Sequence, residues 1–308
     1  MGNLTLFIMK ILIIQHKNDF EGEQGIYFIE VIAGCWREAG HEVLFVNGLQ
    51  NNIKADLAIL HVNLSVVPDE YVHYAKQFPV TLNLNTTDIR KRTISQYLVQ
   101  QNDDYDGSVI VKTDKNCGGI PEAKICNQAL PKSRSVMRLV RKFVRKSRNA
   151  GIKLNLISTS SRELVKTEYR ELFSVFEHKD QVPEYIWNDE DWIVEQFLPE
   201  IENSRFVIRN AYFLGDKMIC FKTVGSDPIV KEGKELKSKK IEMPREITQI
   251  RNKLGLNYGK IDFVMHNGEP VVLDIGKTIG GGDFGRETAL TLAPGILSYL
   301  ATKNEMRS

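Results

Sequence analysis

The sequence predicts an α/β lobe at the N-terminus and an α+β half after it. Three observations carry this reading. Residues 9 to 85 alternate short apolar runs with amphipathic runs, the pattern of strands joined by helices in a parallel sheet. The C-terminal half holds longer strand-like runs that read as antiparallel ribbons. The chain's 308 residues also exceed what one small core uses, so two or three lobes are expected.

In order, KILIIQ is a buried strand, and GIYFIEVIAGCWREAG has apolar residues at helical spacing and stops at Gly40, a natural helix C-terminus. HEVLFVN, ADLAILHVN and PVTLNLN are further strands. Before the last comes the helix PDEYVHYAKQF, with Pro68 suited to its first turn. Residues 86 to 107 read as a linker helix and then a polar, acidic turn. SVIVKT is a strand leading to the glycine pair of DKNCGGIPE, and residues 133 to 149 read as a basic amphipathic helix. WIVEQFL, RFVIRNAYFLG and DKMICFKTVG are strands, and KEGKELKSKK an exposed loop. The helix PREITQIRNKLG leads to a hairpin, KIDFVMHNGEPVVLDIGKT, then to GGGDFGRETAL and a last helix.

Composition is that of an ordinary globular protein: 42% hydrophobic, 26% charged, mean hydropathy −0.25. The net charge of +2 gives no global pull toward nucleic acid or anionic lipid. It conceals a local contrast: Lys132 to Arg148 holds eight basic residues and no acid, whereas Asp180 to Ser204 holds eight acids and no Lys or Arg. Two uses of the basic helix stay open, an acidic macromolecular substrate or pairing with that acidic segment. No apolar run reaches the roughly 18–20 residues that span a bilayer. MGNLTLFIMKILIIQHK has no basic leader and no cleavage site, so it reads as a buried strand rather than a signal peptide. The four cysteines have no disulfide or zinc spacing, which points to free thiols in a reducing cytoplasm.

The hairpin carries one acid in each arm, Asp262 and Asp274. A two-residue Asn267-Gly268 turn pairs Asp262 with Leu273 and sends the acids to opposite faces. A three-residue loop, Asn267 to Glu269, pairs Asp262 with Asp274. Two ionised carboxylates that close call for a cation between them, and hard oxygen ligands suit Mg²⁺. The alternative is that one Asp faces solvent and the other caps a loop. Lys112 ends a buried strand before a glycine loop, where an ammonium and loop N–H groups can meet one phosphate. WIVEQFLPEIENSRFVIR joins an apolar strand to acids, a layout able to read an adenine edge with backbone groups. His16 and His61 sit at strand ends near an inter-lobe cleft and are read as structural. The first strand lacks GxGxxG, which excludes a dinucleotide fingerprint there.

The order of these motifs resembles the ATP-grasp superfamily. A strand lysine is followed by a Glu-x-aromatic-aliphatic hinge and then by a hairpin with an acid on each arm. The likeness covers roughly residues 86 to 300. DIRKRTIS, DDYDGSVIVKTDKNCGGIPE and VVLDIGKT further resemble a bacterial ATP-grasp group. The resemblance implies a Rossmann-like lobe over 1–85, a linker over 86–107, a small ATP-grasp lobe with the basic helix over 108–195, and a large lobe with the metal-binding hairpin over 196–308. It implies ATP and Mg²⁺ as cofactors. Lys112 matches the lysine on the α/β-phosphates. Lys91 matches an earlier phosphate lysine, with Arg90 and Arg92 as rivals. Glu195, Gln196, Phe197 and Leu198 match the adenine hinge, and Glu202 the ribose acid. Asp262 and Asp274 match metal ligands, and Arg209 reaches the γ-phosphate or acylphosphate. GGGDFGRET becomes a loop over the phosphates, with Arg286 holding an incoming carboxylate.

One departure is chemically serious. The family has an Asn two residues beyond its second acid, and here that position is Gly276. Lys277 and Asp283 are the candidate replacements; a single Mg²⁺ and a weakened activity are the alternatives. The implied activity is an ATP- and Mg-dependent carboxylate–amine or carboxylate–thiol ligase working through an acylphosphate. Its substrate is a small-molecule or peptide carboxylate, with no membrane or nucleic-acid partner. The rivals are a catalytically impaired nucleotide-binding protein and a two-lobed glycosyltransferase, which requires a second parallel lobe.

Overall fold

A computed structural model describes residues 8–19, 27–126, 173–226, 237–280 and 285–299. The N-terminal lobe is a four-stranded parallel sheet in the order β2-β1-β3-β4. It comprises β1 (Lys10–Gln15), β2 (Glu42–Asn47), β3 (Leu57–Leu60) and β4 (Thr81–Leu82), with α1 (Phe28–Glu38) and α2 (Asp69–Ala75) as crossovers. Helix α1 buries Phe28, Ile29, Ile32, Ala33 and Trp36, an apolar stripe at helical spacing. Gly40, at φ 89°, follows its end. The strand expected in PVTLNLN stops after two residues. Asn83 turns left-handed at φ 62° and bonds the large lobe instead. Its amide donates to Tyr258 O at 2.8 Å, and its side-chain oxygen accepts from the Asn257 and Tyr258 N–H groups.

The linker helix expected over 86–107 is a single turn, α3 (Lys91–Ile94). Beyond it the backbone bonds β7 rather than itself: Val99 N–H donates to Val194 O, and Gln196 N–H to Tyr97 O. The small lobe is an antiparallel sheet, β6-β5-β7, made of β5 (Val109–Thr113), β6 (Phe173–Phe176) and β7 (Trp192–Gln196). Helix α4 (Ile120–Ile125), reached after β5, packs Ile125 into the N-terminal lobe, whereas the small lobe carries α5 (Glu184–Trp187). The basic helix expected at 133–149 lies outside the described residues.

The large lobe is a six-stranded antiparallel sheet, β11-β10-β9-β12-β13 with β8 beside β9. Its strands are β8 (Glu200–Glu202), β9 (Arg205–Leu214), β10 (Lys217–Gly225), β11 (Lys237–Ile241), β12 (Tyr258–His266) and β13 (Glu269–Gly276). Part of the run expected as a lysine-rich loop is therefore β11, and lysines on an edge strand discourage pairing with another chain. Helix α6 (Arg245–Lys253) covers the face bearing Ala211, Phe213, Ile261, Phe263 and Ile275. Helix α7 (Arg286–Leu292) packs with α1 on the other. Every strand pairing from β5 onward is antiparallel. The second parallel lobe that a two-lobed glycosyltransferase requires is absent among the described residues, which removes that alternative.

Candidate active site

The hairpin reaches the acid pairing by an unexpected route. His266 pairs with Glu269, so the turn is the two residues Asn267 and Gly268, both left-handed (φ 51° and 85°). That register alone opposes Asp262 to Leu273. A bulge between Asp262 and Phe263 in the ladder restores Asp262 opposite Asp274. The two acids thus share one face. Asn210 of β9 also pairs with Asp262, and its amide donates to Asp262 Oδ1 at 2.7 Å. Lys260, two residues back on the same face, reaches Asp262 Oδ2 at 2.7 Å. Burial works against the Lys260 charge, but Asp262, Tyr212 and Asp274 outweigh it and hold the ammonium above the usual lysine range. Asp274 Oδ1 is buried and accepts no hydrogen bond. It faces Lys91 Nζ at 3.5 Å.

Lys112 reaches β13 from the small lobe. In β5 it shares a strand face with Ile110, which lies opposite Glu195 of β7. The Lys112 ammonium forms a short ion pair with the Glu195 carboxylate, and both are buried. It also donates across the lobes to Leu273 O at 3.4 Å. Leu273 is the bulge residue, so the irregularity that aligns the acids also presents a carbonyl to the lysine. After Lys112 the chain turns left-handed through Cys117, Gly118 and Gly119 (φ 48°, 67° and 73°) into α4. Lys91 is distinguished from its neighbours: Arg90 is held by Asp88 and Arg92 by Asp114. Only Lys91 of the three pairs with an acid of the hairpin.

Gln196 closes β7, and Phe197, Leu198 and Pro199 connect the small-lobe sheet to β8. The N–H groups of Gln196 and Phe197 already donate to Tyr97 O and Ser108 O. Among the described residues no partner is found for the Leu198 N–H, so within this hinge it is the amide open to a ligand.

Three expected residues lie elsewhere. Arg209 pairs with Phe263, one residue out of step with Asp262, so strand alternation places it on the opposite sheet face. There Glu200 grips it with two oxygens, and Lys222 pairs with Glu202. The role expected for Arg209 at a γ-phosphate is not carried by this geometry, and Glu202 already has a lysine partner. Arg286 forms an exposed pair with Glu38 of α1, away from the acids. Asp283 lies outside the described residues. Lys277 is 1% exposed, donates weakly to Thr87 O, and is driven by burial down to about 7. It bonds neither acid and so does not replace the absent ligand. His61 is fully buried between the Tyr27 and Tyr258 rings, and burial drives it down to about 3. His16 stacks on Tyr71. Sequence reasoning missed Asn210 and Lys260. The Lys-x-Asp spacing on a strand is a signal that could have found Lys260; Asn210 needed the β9–β12 register.

Among the described residues no three His, Cys, Asp or Glu side chains form a complete metal cage. A magnesium ion does not require one, since it keeps waters and takes phosphate oxygens beside one or two carboxylates. Asp274, whose Oδ1 has no hydrogen bond and only the Lys91 contact at 3.5 Å, with Asp262 opposite, is a donor set of that kind. Among the described residues no helix is long and apolar enough to cross a membrane, and Cys35, Cys117, Cys126 and Cys220 form no disulfide.

No family model matches the sequence, and no curated protein does. Solved structures align along nearly its whole length. A D-alanine–D-alanine ligase from Bacillus anthracis is 12% identical, with 96% of this chain and 99% of that one covered and a TM-score of 0.42. The ATP-grasp ligase PsnB in complex with a minimal precursor is 11% identical (97% and 99% covered, TM-score 0.47). A RimK domain ATP-grasp protein from Sphaerobacter thermophilus is 12% identical (94% and 99% covered, TM-score 0.47). At these identities and TM-scores the chemistry is left to the chain's own residues.

Proposed function

We propose that the chain is an ATP-grasp ligase that activates a carboxylate with ATP and joins it to an amine or thiol. One observation carries this reading: lysines from two separate segments converge on the acid-bearing strand β13, Lys91 on Asp274 itself and Lys112 on the neighbouring Leu273 carbonyl, while Asp262 stands opposite Asp274. Cations on one wall and paired acids on the other suit a polyphosphate bound with a divalent ion.

In this reading the adenine lies in the hinge against the Leu198 amide, and Lys112 and Lys91 hold the phosphate chain. Glu195 fixes the Lys112 rotamer, so the ammonium is oriented before the nucleotide arrives. Asp274, supported by Asp262, holds the magnesium, which neutralises charge on the transferring phosphoryl group when bound. The substrate carboxylate attacks the γ-phosphorus and ADP leaves. The nucleophile then adds to the acylphosphate carbonyl and expels phosphate. The chain's contribution is positioning and charge. Ion pairing of the hairpin acids with Lys91 and Lys260 favours a second reading, a nucleotide-binding protein with weak or no turnover.

A thermal-shift screen with ATP, ADP and UDP-sugars, with and without Mg²⁺, tests the proposal, because a ligand of the native state raises the midpoint by mass action. ATP with Mg²⁺ is expected to stabilise the protein, and Lys112→Ala to abolish the shift. Stabilisation by UDP-sugars alone contradicts it. ADP release with a panel of carboxylates separates the ligase from the silent binder.

A further inference from the structure

Lys260 and Gly276 are direct partners across the hairpin, two rows from the acid pair and on the same face. A Cβ at position 276 meets Lys260 Cγ at 3.0 Å, Cε at 3.2 Å and Cδ at 3.6 Å. The lysine stem therefore lies flat on the glycine, in space that any other residue fills. Lying there, its ammonium reaches Asp262 Oδ2. Asn210 holds the other oxygen. Both Asp262 oxygens thus have protein donors at 2.7 Å, while Asp274 Oδ1 has no hydrogen bond and only the Lys91 ammonium at 3.5 Å. The two acids are alike in sequence and unlike in what they offer a metal.

We propose that Lys260, laid across Gly276, is a resident cation on the Asp262 side of the acid pair, so that the nucleotide site takes one divalent ion, at Asp274, instead of two. The inference rests on the nucleotide reading above. A carboxylate pair without such a lysine has two uncompensated charges and room for two ions. Here the Asp262 charge is met at hydrogen-bond distance by a covalently attached ammonium, which needs no metal and is not lost by chelation, whereas Asp274 has only the longer Lys91 contact at 3.5 Å. The glycine is then part of the device: it gives up a side chain so that the lysine can lie down.

Mn²⁺ binding tests this without turnover. Mn²⁺ is titrated into protein saturated with a non-hydrolysable ATP analogue, and free Mn²⁺ is counted by its EPR signal. The wild type is expected to hold one Mn²⁺ per bound nucleotide. Lys260→Met is expected to hold two. Gly276→Ala, which keeps the lysine but crowds its stem, is expected to raise the count in the same direction, so the test survives if either variant fails to fold. Two Mn²⁺ ions on the wild type, or a count of one in whichever variants fold, overturns the inference and leaves the nucleotide reading intact. Absence of analogue binding to the wild type overturns both.

Discussion

Lys277 shows how much of this site is decided by the surroundings of single residues. Its ammonium is buried with, among the described residues, one weak carbonyl partner at Thr87, and its folded pKa of about 7 lies well below the ordinary lysine value. Between those two values the unfolded chain binds more protons than the folded one, so stability rises with pH across that window. Lys277→Met removes the penalty. The variant's advantage in melting temperature is expected to be largest at about pH 7 and below and to shrink toward pH 10. A difference that is flat with pH contradicts the burial of a reluctant charge. The contrast with Lys260 is instructive. Both lysines flank the same acids in sequence, but one is answered by Asp262 and the other by no carboxylate contact. Sequence alone named Lys112, Asp262 and Asp274, because a charged residue in an apolar strand is conspicuous. It did not assign Lys260, whose meaning depends on the missing side chain across the ladder.

The hairpin is the element on which the site turns. Gly268 adopts φ 85°, and a Cβ there meets nothing within 4 Å. Any cost of substitution is therefore conformational. Gly268→Ala is expected to cost about 1 kcal/mol, and Gly268→Asn less, since Asn tolerates the left-handed region. Urea midpoints of the two variants check this; an Asn as costly as Ala contradicts a turn set by backbone conformation. The acids' shared face was legible in the sequence, but the route was not. A longer loop and a tight turn with a bulge give the same opposition of Asp262 and Asp274, and alternation cannot separate them. The linker helix failed for a related reason: residues 97–99 satisfy their backbone on β7, a tertiary option that local pattern does not contain. Arg209 failed by one residue of register, which in a strand is the whole difference between faces.

Across the molecule the lobes are joined unequally. The N-terminal and large lobes share one core, in which Phe28, Ile32 and Trp36 pack with Tyr212, Leu214 and Leu292, and the Trp36 indole donates to Ala293 O. The small lobe instead has its own core around Val109, Val111, Trp192 and Val194. It meets the large lobe through the Phe197–Pro199 hinge and the Lys112 contact with Leu273. This arrangement places the candidate phosphate lysine on one body and the acids on another, so a nucleotide bound as proposed would bridge them. Calorimetric titration of ATP with and without Mg²⁺ tests that bridge most directly, using wild type, Lys112→Met and Asp274→Asn. The expected result is one Mg²⁺-dependent site, weakened roughly ten- to a hundredfold by Lys112→Met, as for loss of a charged hydrogen bond. Asp274→Asn is expected to weaken binding with Mg²⁺ more than without it. ATP affinity indifferent to Mg²⁺ and unmoved by either substitution contradicts the account.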